Sequence, residues 1–246
     1  VSLHLALMQS FRDCLDQANL SAIWIGASYP DVVNPVLHRS GFGPICGIGN
    51  VQEPIPKVIS GLSQRLGVPN TEISVRLVAQ HAFEYYVFSE FPSKDLPPFL
   101  LHAEVNGDDV TDLALKELFK PFPFKFDLFF NRVTASAAIQ AFKGFLAKEP
   151  TAMHLPGVNG LIGGYPVVLK DGLAELDLHK EWTEADAIDT NVRSLPWEGI
   201  ECIESDGSIT FTEVTQSAFK TLLGKSVQGV TLDTSMDQAH QLLKAL

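Results

Sequence analysis

Apolar residues at positions 3, 7, 11, 14 and 15 recur at helical spacing and predict a helix over residues 3–18, packed on one face. A short apolar run at 22–27, bounded by turn residues, predicts a buried strand, and a helix follows over 31–40 after Pro30. The alternation repeats, with a strand at 44–49, a helix over 54–66 closed by Gly67, and a Val-, Ile- and Leu-rich strand over 72–79. Apolar strands separated by helices imply a parallel sheet built from βα units. Beyond His81 the pattern changes. Residues 85–88 and 99–105 read as antiparallel strands, the second entering an Asn106-Gly107-Asp108 turn. A short helix is expected over 111–119, an irregular Phe-rich connection over 119–130, and a helix with small residues at its start over 134–146. A glycine-rich loop (157–164) leads to strands at 166–170 and 173–178, a second hairpin spans 200–211, and helices at 213–223 and 237–245 close the chain. The expected organisation is an α/β half over residues 1–80 and an α+β half over 81–246, sharing a core without a linker.

Composition narrows the function classes. The 246 residues are 46% hydrophobic and 19% charged, enough apolar material for a core and too much for a disordered chain. A net charge of −11 repels phosphates and anionic lipid, so nucleic acid and membranes are not expected partners. No run approaches 18 apolar residues, and no signal peptide is legible. Cys14, Cys46 and Cys202 form neither a metal clip nor a disulfide framework, which suits reduced thiols in a cytoplasmic protein. The opening residues read as the middle of a helix, and the chain is expected to be part of a longer one.

Three stretches could carry chemistry. Gly47-Ile48-Gly49-Asn50-Val51-Gln52 follows a strand and precedes a helix, yet it lacks the third glycine of a dinucleotide fingerprint, so a tight turn competes with nucleotide binding. His81 stands at the end of a predicted parallel strand, where open α/β sheets bind ligands; the competing role is a hydrogen-bonded histidine at a domain seam. Glu53 could orient that imidazole, or it could simply be an acid in a first helical turn with Lys57 as its i,i+4 partner. His154 reads as structural.

The order of these motifs resembles the lactate and malate dehydrogenase superfamily. Its strand, (S/T)-N-P-V-D turn and helix look like Ile25-Gly26-Ala27-Ser28-Tyr29-Pro30-Asp31, and its later motifs look like Ser40-Gly41-Phe42, Ile45-Cys46-Gly47-Ile48-Gly49 and Leu66-Gly67-Val68. His81 follows Val68 by thirteen residues, the place of that family's catalytic histidine. Downstream, Val105-Asn106-Gly107-Asp108 and residues 199–224 are similar to its later hairpins and helix. The resemblance implies a partial Rossmann-like parallel sheet followed by a dehydrogenase C-terminal-like substrate domain. It implies hydride transfer between NAD and a small hydroxy or amino acid, with His81 as acid/base and Glu53, 28 residues before it, as its orienter. Lys57 or Arg76 would anchor the substrate's carboxylate, Thr134 and Ser136 would face it, and Ser28, Tyr29 and Pro30 would approach the cofactor. Three departures stand out: Tyr29 replaces the turn's Asn, no Arg accompanies Lys57, and the first βαβ unit with its GxGxxG is missing. NAD binding by this chain alone is therefore expected to be weak or absent, and a homo-oligomer is expected from the partial sheet. The related NAD- and metal-dependent family 4 glycosidases are also similar, through Gly47-Ile48-Gly49-Asn50-Val51 and Ala79-Gln80-His81, although their metal-binding Cys falls on Gly49. A non-catalytic binding module keeping the fold is the third possibility.

Overall fold

A computed structural model describes residues 1–20, 22–88, 95–121 and 128–245. Helix α1 (Ser2–Gln17) is followed by a βαβ unit made of β1 (Ile25–Gly26), α2 (Pro30–Arg39) and β2 (Cys46–Gly47). Next come α3 (Ile55–Leu66), β3 (Ile73–Ala79), α4 (His81–Phe88), β4 (Phe99–Val105), β5 (Asp108–Asp109) and α5 (Thr111–Leu118). Helix α6 (Asn131–Leu146) leads to strands β6 (Thr151–Pro156), β7 (Gly164–Lys170) and β8 (Leu173–Leu176). The last part holds α7 (Glu184–Arg193), β9 (Ile200–Ile203), β10 (Ile209–Phe211), α8 (Glu213–Leu223), β11 (Gly229–Val230) and α9 (Leu232–Ala245). The Phe-rich connection expected over 119–130 falls mostly on residues 122–127, outside the described residues.

The mixed α/β and α+β class is as expected, but the parallel sheet is smaller. Among the described residues parallel pairing joins only β1 and β2, through Ile25 to Cys46 and Gly26 to Gly47. The third apolar strand, β3, instead pairs antiparallel with β4 along its whole length, from Ile73 opposite Val105 to Ala79 opposite Phe99. An apolar run does not encode strand direction. Here the alternation decides: Val75, Leu77 and Ala79 face one core while Val78 faces another. The six-stranded sheet runs β5-β4-β3-β7-β6 with β8 against β7, so it crosses residue 80. β3 meets β7 at a single position, Ala79 opposite Gly164, because β8 occupies the rest of that edge.

Three apolar clusters hold these elements. Val58 and Leu62 of α3, Phe83 and Val87 of α4, and Ala114 and Leu118 of α5 cover the odd-numbered face of β3. Ala141 and Phe145 of α6 and Ala187 of α7 pack on β6 and β7. Leu5, Val32, Val33 and Val36 join α1 and α2 to the small β9–β10–β11 sheet. Residues 85–88, expected as a strand, are the end of α4. Phe83 and Val87, one helical turn apart, both turn into the core, and this packing overrides the strand propensity of Tyr85-Tyr86-Val87. The first turn of α4 is capped from outside: the Ala82 N–H donates to Gln80 Oε1 and the His81 N–H to Asp31 Oδ1.

The βαβ unit closes on a contact that only glycine permits. A Cβ on Gly47 would lie 2.1 Å from Cβ of Pro30, the first residue of α2. Gly47→Ala is expected to cost about 1–3 kcal/mol through overpacking, read as a lower urea midpoint with an unchanged slope.

A candidate acid/base site at the start of α4

Three segments converge on His81. The turn before α2 holds Tyr29 in the left-handed region (φ 53°), a conformation a bulky side chain rarely adopts, and aims its ring edge-on at the imidazole, 5.3 Å away. Tyr85, one turn along α4, presents its own ring edge-on at 5.2 Å. A short 3-10 turn, Leu195–Glu198, brings Glu198 to both: Oε1 lies 2.8 Å from His81 Nδ1, and Oε2 accepts the Tyr29 hydroxyl at 2.7 Å. A carboxylate on Nδ1 fixes the tautomer and leaves Nε2 as the working nitrogen. Nε2 has no hydrogen-bond partner among the described residues. Burial lowers the imidazole pKa, but the hydrogen bond and charge of Glu198, with Asp31 and Glu53 behind, outweigh it and leave His81 above its ordinary value.

His81 lines a cavity of about 330 Å³ together with His4, Tyr29, Glu53, Glu84 and Thr134. Glu53 accepts the Thr134 hydroxyl at 2.5 Å and lies against the carboxyl of Glu84. Burial, then the neighbouring Glu53, drive the Glu84 pKa well above the usual range, so Glu84 holds a proton. Asp31, fully buried behind the wall, accepts from Asn50 Nδ2 and the His81 backbone; burial raises it to about 6 against the opposing pull of His81 and Asn50.

The structure thus gathers five of the sequence candidates, His81, Glu53, Thr134, Tyr29 and Pro30, at one cavity. Glu198, rather than Glu53, lies on His81 Nδ1, while Glu53 engages Thr134 and Glu84. Ser28 stands beside this group, its hydroxyl 2.8 Å from His4 Nδ1. The two cations are elsewhere. Lys57 Nζ donates to the carbonyls of Leu118 and Lys120 at the end of α5, and burial brings it down to about 8. Lys57 and Ser136 line a separate cavity of about 890 Å³ that shares only Glu53 with the first. Arg76 bridges Glu104 and Asp177 on the sheet, both at 3.2 Å. Among the described residues no lysine or arginine lines the His81 cavity.

The residues expected to approach NAD do not form a pyrophosphate cradle. Such a cradle offers free backbone N–H groups at a helix start. Here the start of α2 carries the buried carboxylate of Asp31, and the open side of Gly49 (φ 83°) is filled by Glu53, whose Oε1 would lie 2.7 Å from a Cβ there. Among the described residues no three His, Cys, Asp or Glu side chains group as metal donors.

Glu198 and Glu84 were not foreseen. Glu198 lies 117 residues from His81, with nothing local to announce it. Glu84 follows His81 by three residues, and a helical reading would have put both on one side.

No family model matches the sequence, and no curated protein does. Among solved structures, the chain is similar to a malate dehydrogenase from Plasmodium falciparum in complex with NADH, with 13% identity, 79% of this chain and 69% of that one covered, and a TM-score of 0.49. A second structure of that Plasmodium falciparum enzyme gives 14% identity, 79% and 66% coverage, and a TM-score of 0.49. The malate dehydrogenase from Aeropyrum pernix gives 13% identity, 80% and 71% coverage, and a TM-score of 0.45.

Proposed function

We propose that this chain carries the proton-transfer half of an oxidoreductase of the lactate/malate dehydrogenase type, acting on a small hydroxy or amino compound. The observation that carries the reading is His81 on the wall of a polar cavity, with its Nδ1 held by Glu198. In oxidation, Nε2 would take the proton of the substrate's hydroxyl or amine while Glu198 stabilises the imidazolium. In reduction the imidazolium would return it. Tyr29 and Tyr85 hold the ring between them, and Thr134 with Asn131 offers the substrate hydrogen bonds. NAD would be the hydride partner in a longer parent, taking the hydride from the carbon whose hydroxyl or amine faces His81.

The test is turnover. The chain alone, and any longer product of its gene, is assayed with NAD and a panel of small hydroxy and amino compounds. Substrate-dependent NADH formation by the longer product supports the reading. Absence of both nucleotide binding and turnover in every form would sink it and leave a binding module that keeps the fold.

A further inference from the structure

Among the described side chains, the carboxyls outnumber the basic groups around the His81 cavity. Glu53 and Glu84 line it, Asp31 and Glu198 stand behind its wall, and the imidazoles of His4 and His81 are the basic groups on it. The lysine and arginine that a carboxylate substrate would need are tied to α5 and to the sheet. Glu84 is 6% exposed, and its Oε1 is buried without a hydrogen-bond donor among the described residues. A buried acceptor without a donor is costly, and it marks where a ligand's N–H is missing. Aromatic rings complete the wall: Tyr29, Tyr85 and the buried Phe130. Carboxyls with aromatic faces form the surroundings that hold an ammonium group, through charge-assisted hydrogen bonds and cation–π attraction.

We infer that the cavity takes a small organic cation, a primary or secondary ammonium compound, whose nitrogen sits between Glu53 and Glu84 and within reach of His81. The inference rests on the proposed function in that it names the substrate class of the same site, and it selects the amine over the hydroxy-acid anion. The volume, about 330 Å³, is at the lower end of small-molecule sites and suits a ligand of roughly ten heavy atoms or fewer. Without ligand Glu84 keeps its proton, because burial and the neighbouring Glu53 carboxyl both oppose its ionisation. An arriving R–NH3+ takes over that proton's role: the ammonium keeps its own protons, the Glu84 carboxyl becomes a carboxylate, and its proton passes to solvent.

Calorimetric titration with n-butylammonium chloride near neutral pH, in two buffers of different ionisation enthalpy, tests this without any turnover. Sodium n-butyrate is the size-matched anion. The expected result is at least about tenfold tighter binding of the ammonium than of butyrate, with about one proton released per ligand. Glu84→Gln and Glu53→Gln, each checked for folding by circular dichroism, should each weaken ammonium binding by about tenfold or more and abolish the proton release. Butyrate binding as tightly as butylammonium, no heat for butylammonium with the folded protein, or proton release unchanged in both variants overturns the inference. If one variant does not fold, the other and the ammonium-to-butyrate ratio decide it. Ammonium binding with proton release in a protein that turns over no substrate retains this inference and rejects the dehydrogenase reading. Turnover of hydroxy acids without ammonium binding does the reverse.

Discussion

His81→Asn is expected to lower kcat by about 10²- to 10⁴-fold while leaving the fold intact, the range lost when a positioned acid/base is removed. Asparagine can still donate to Glu198, so the contact at 2.8 Å survives and the loss reports the missing proton carrier. Glu198→Gln should act more mildly, by about 10- to 100-fold, as expected of a group that orients another. It should also move the pH profile. Glu198 is the foremost of the groups raising the His81 pKa, so its neutralisation lets the imidazole fall toward its ordinary value or below. In the oxidative direction, where His81 must start deprotonated, the acidic limb should shift to lower pH. Stopped-flow and steady-state pH profiles of the two variants check this. A His81→Asn protein that keeps more than about a tenth of its turnover removes the imidazole from the mechanism.

The second large effect concerns stability in acid. His154 on β6 is buried, and its Nε2 accepts the Leu77 N–H of β3 at 3.1 Å, while its backbone N–H donates to Gln52 Oε1 at 2.7 Å. These bonds bind β6 to its surroundings where the ladder between β3 and β7 narrows to a single position. Burial, with Arg76 nearby, depresses the imidazole to about 3. A histidine depressed in the folded state binds fewer protons there than when unfolded. Its contribution is therefore complete above the unfolded value near 6.5 and is lost as pH falls through the interval down to about 3. Asp31 has the opposite sign. Raised from 3.8 to about 6, it favours the folded protein below about pH 4, an advantage lost as pH rises through 6. Glu84 is raised in the same direction. The two effects oppose each other between about pH 4 and 6, so the intact protein should show a shallow dependence there. His154→Gln removes one of them while keeping an acceptor for Leu77. Its stability relative to the parent should rise by about 3 kcal/mol between roughly pH 7.5 and 4.5, measured by urea denaturation at both. A difference independent of pH would show that the imidazole titrates normally.

Legibility of the fold followed from how local each signal was. Helices α1, α3 and α8 and strand β4 carry their own period, and Gly67 closes α3 in the left-handed region as expected. The Asp171-Gly172 turn also follows from its residues, both with positive φ. Helix α7 was missed although Thr183 and Asp186 form a capping box, a signal present in the sequence. Strand β6 was missed because His154 and Pro156 obscure its pattern. Strand direction was not legible, since the partner of β3 is chosen by a hairpin-like return of the chain rather than by β3 itself. For the site, family-like spacing led to His81, Glu53, Tyr29 and Thr134, which meet at one cavity. It did not lead to Glu198, whose role depends on a contact that no local window contains. It misdirected Lys57 and Arg76, because a cation near a motif in sequence is not thereby near it in space.

The carboxylate contacts of His81 span 50 residues to Asp31 and 117 to Glu198, and Tyr29 reaches 169 residues to the same acid. Contacts of that sequence separation exist only where the tertiary fold brings these segments together. The imidazole then acquires its raised proton affinity only with those contacts in place. A histidine that titrates at its ordinary value would identify a collapsed but unfinished chain, and one that titrates high would identify the finished protein. The same residue that is proposed to move protons in the native state thus doubles as a clock for its own assembly.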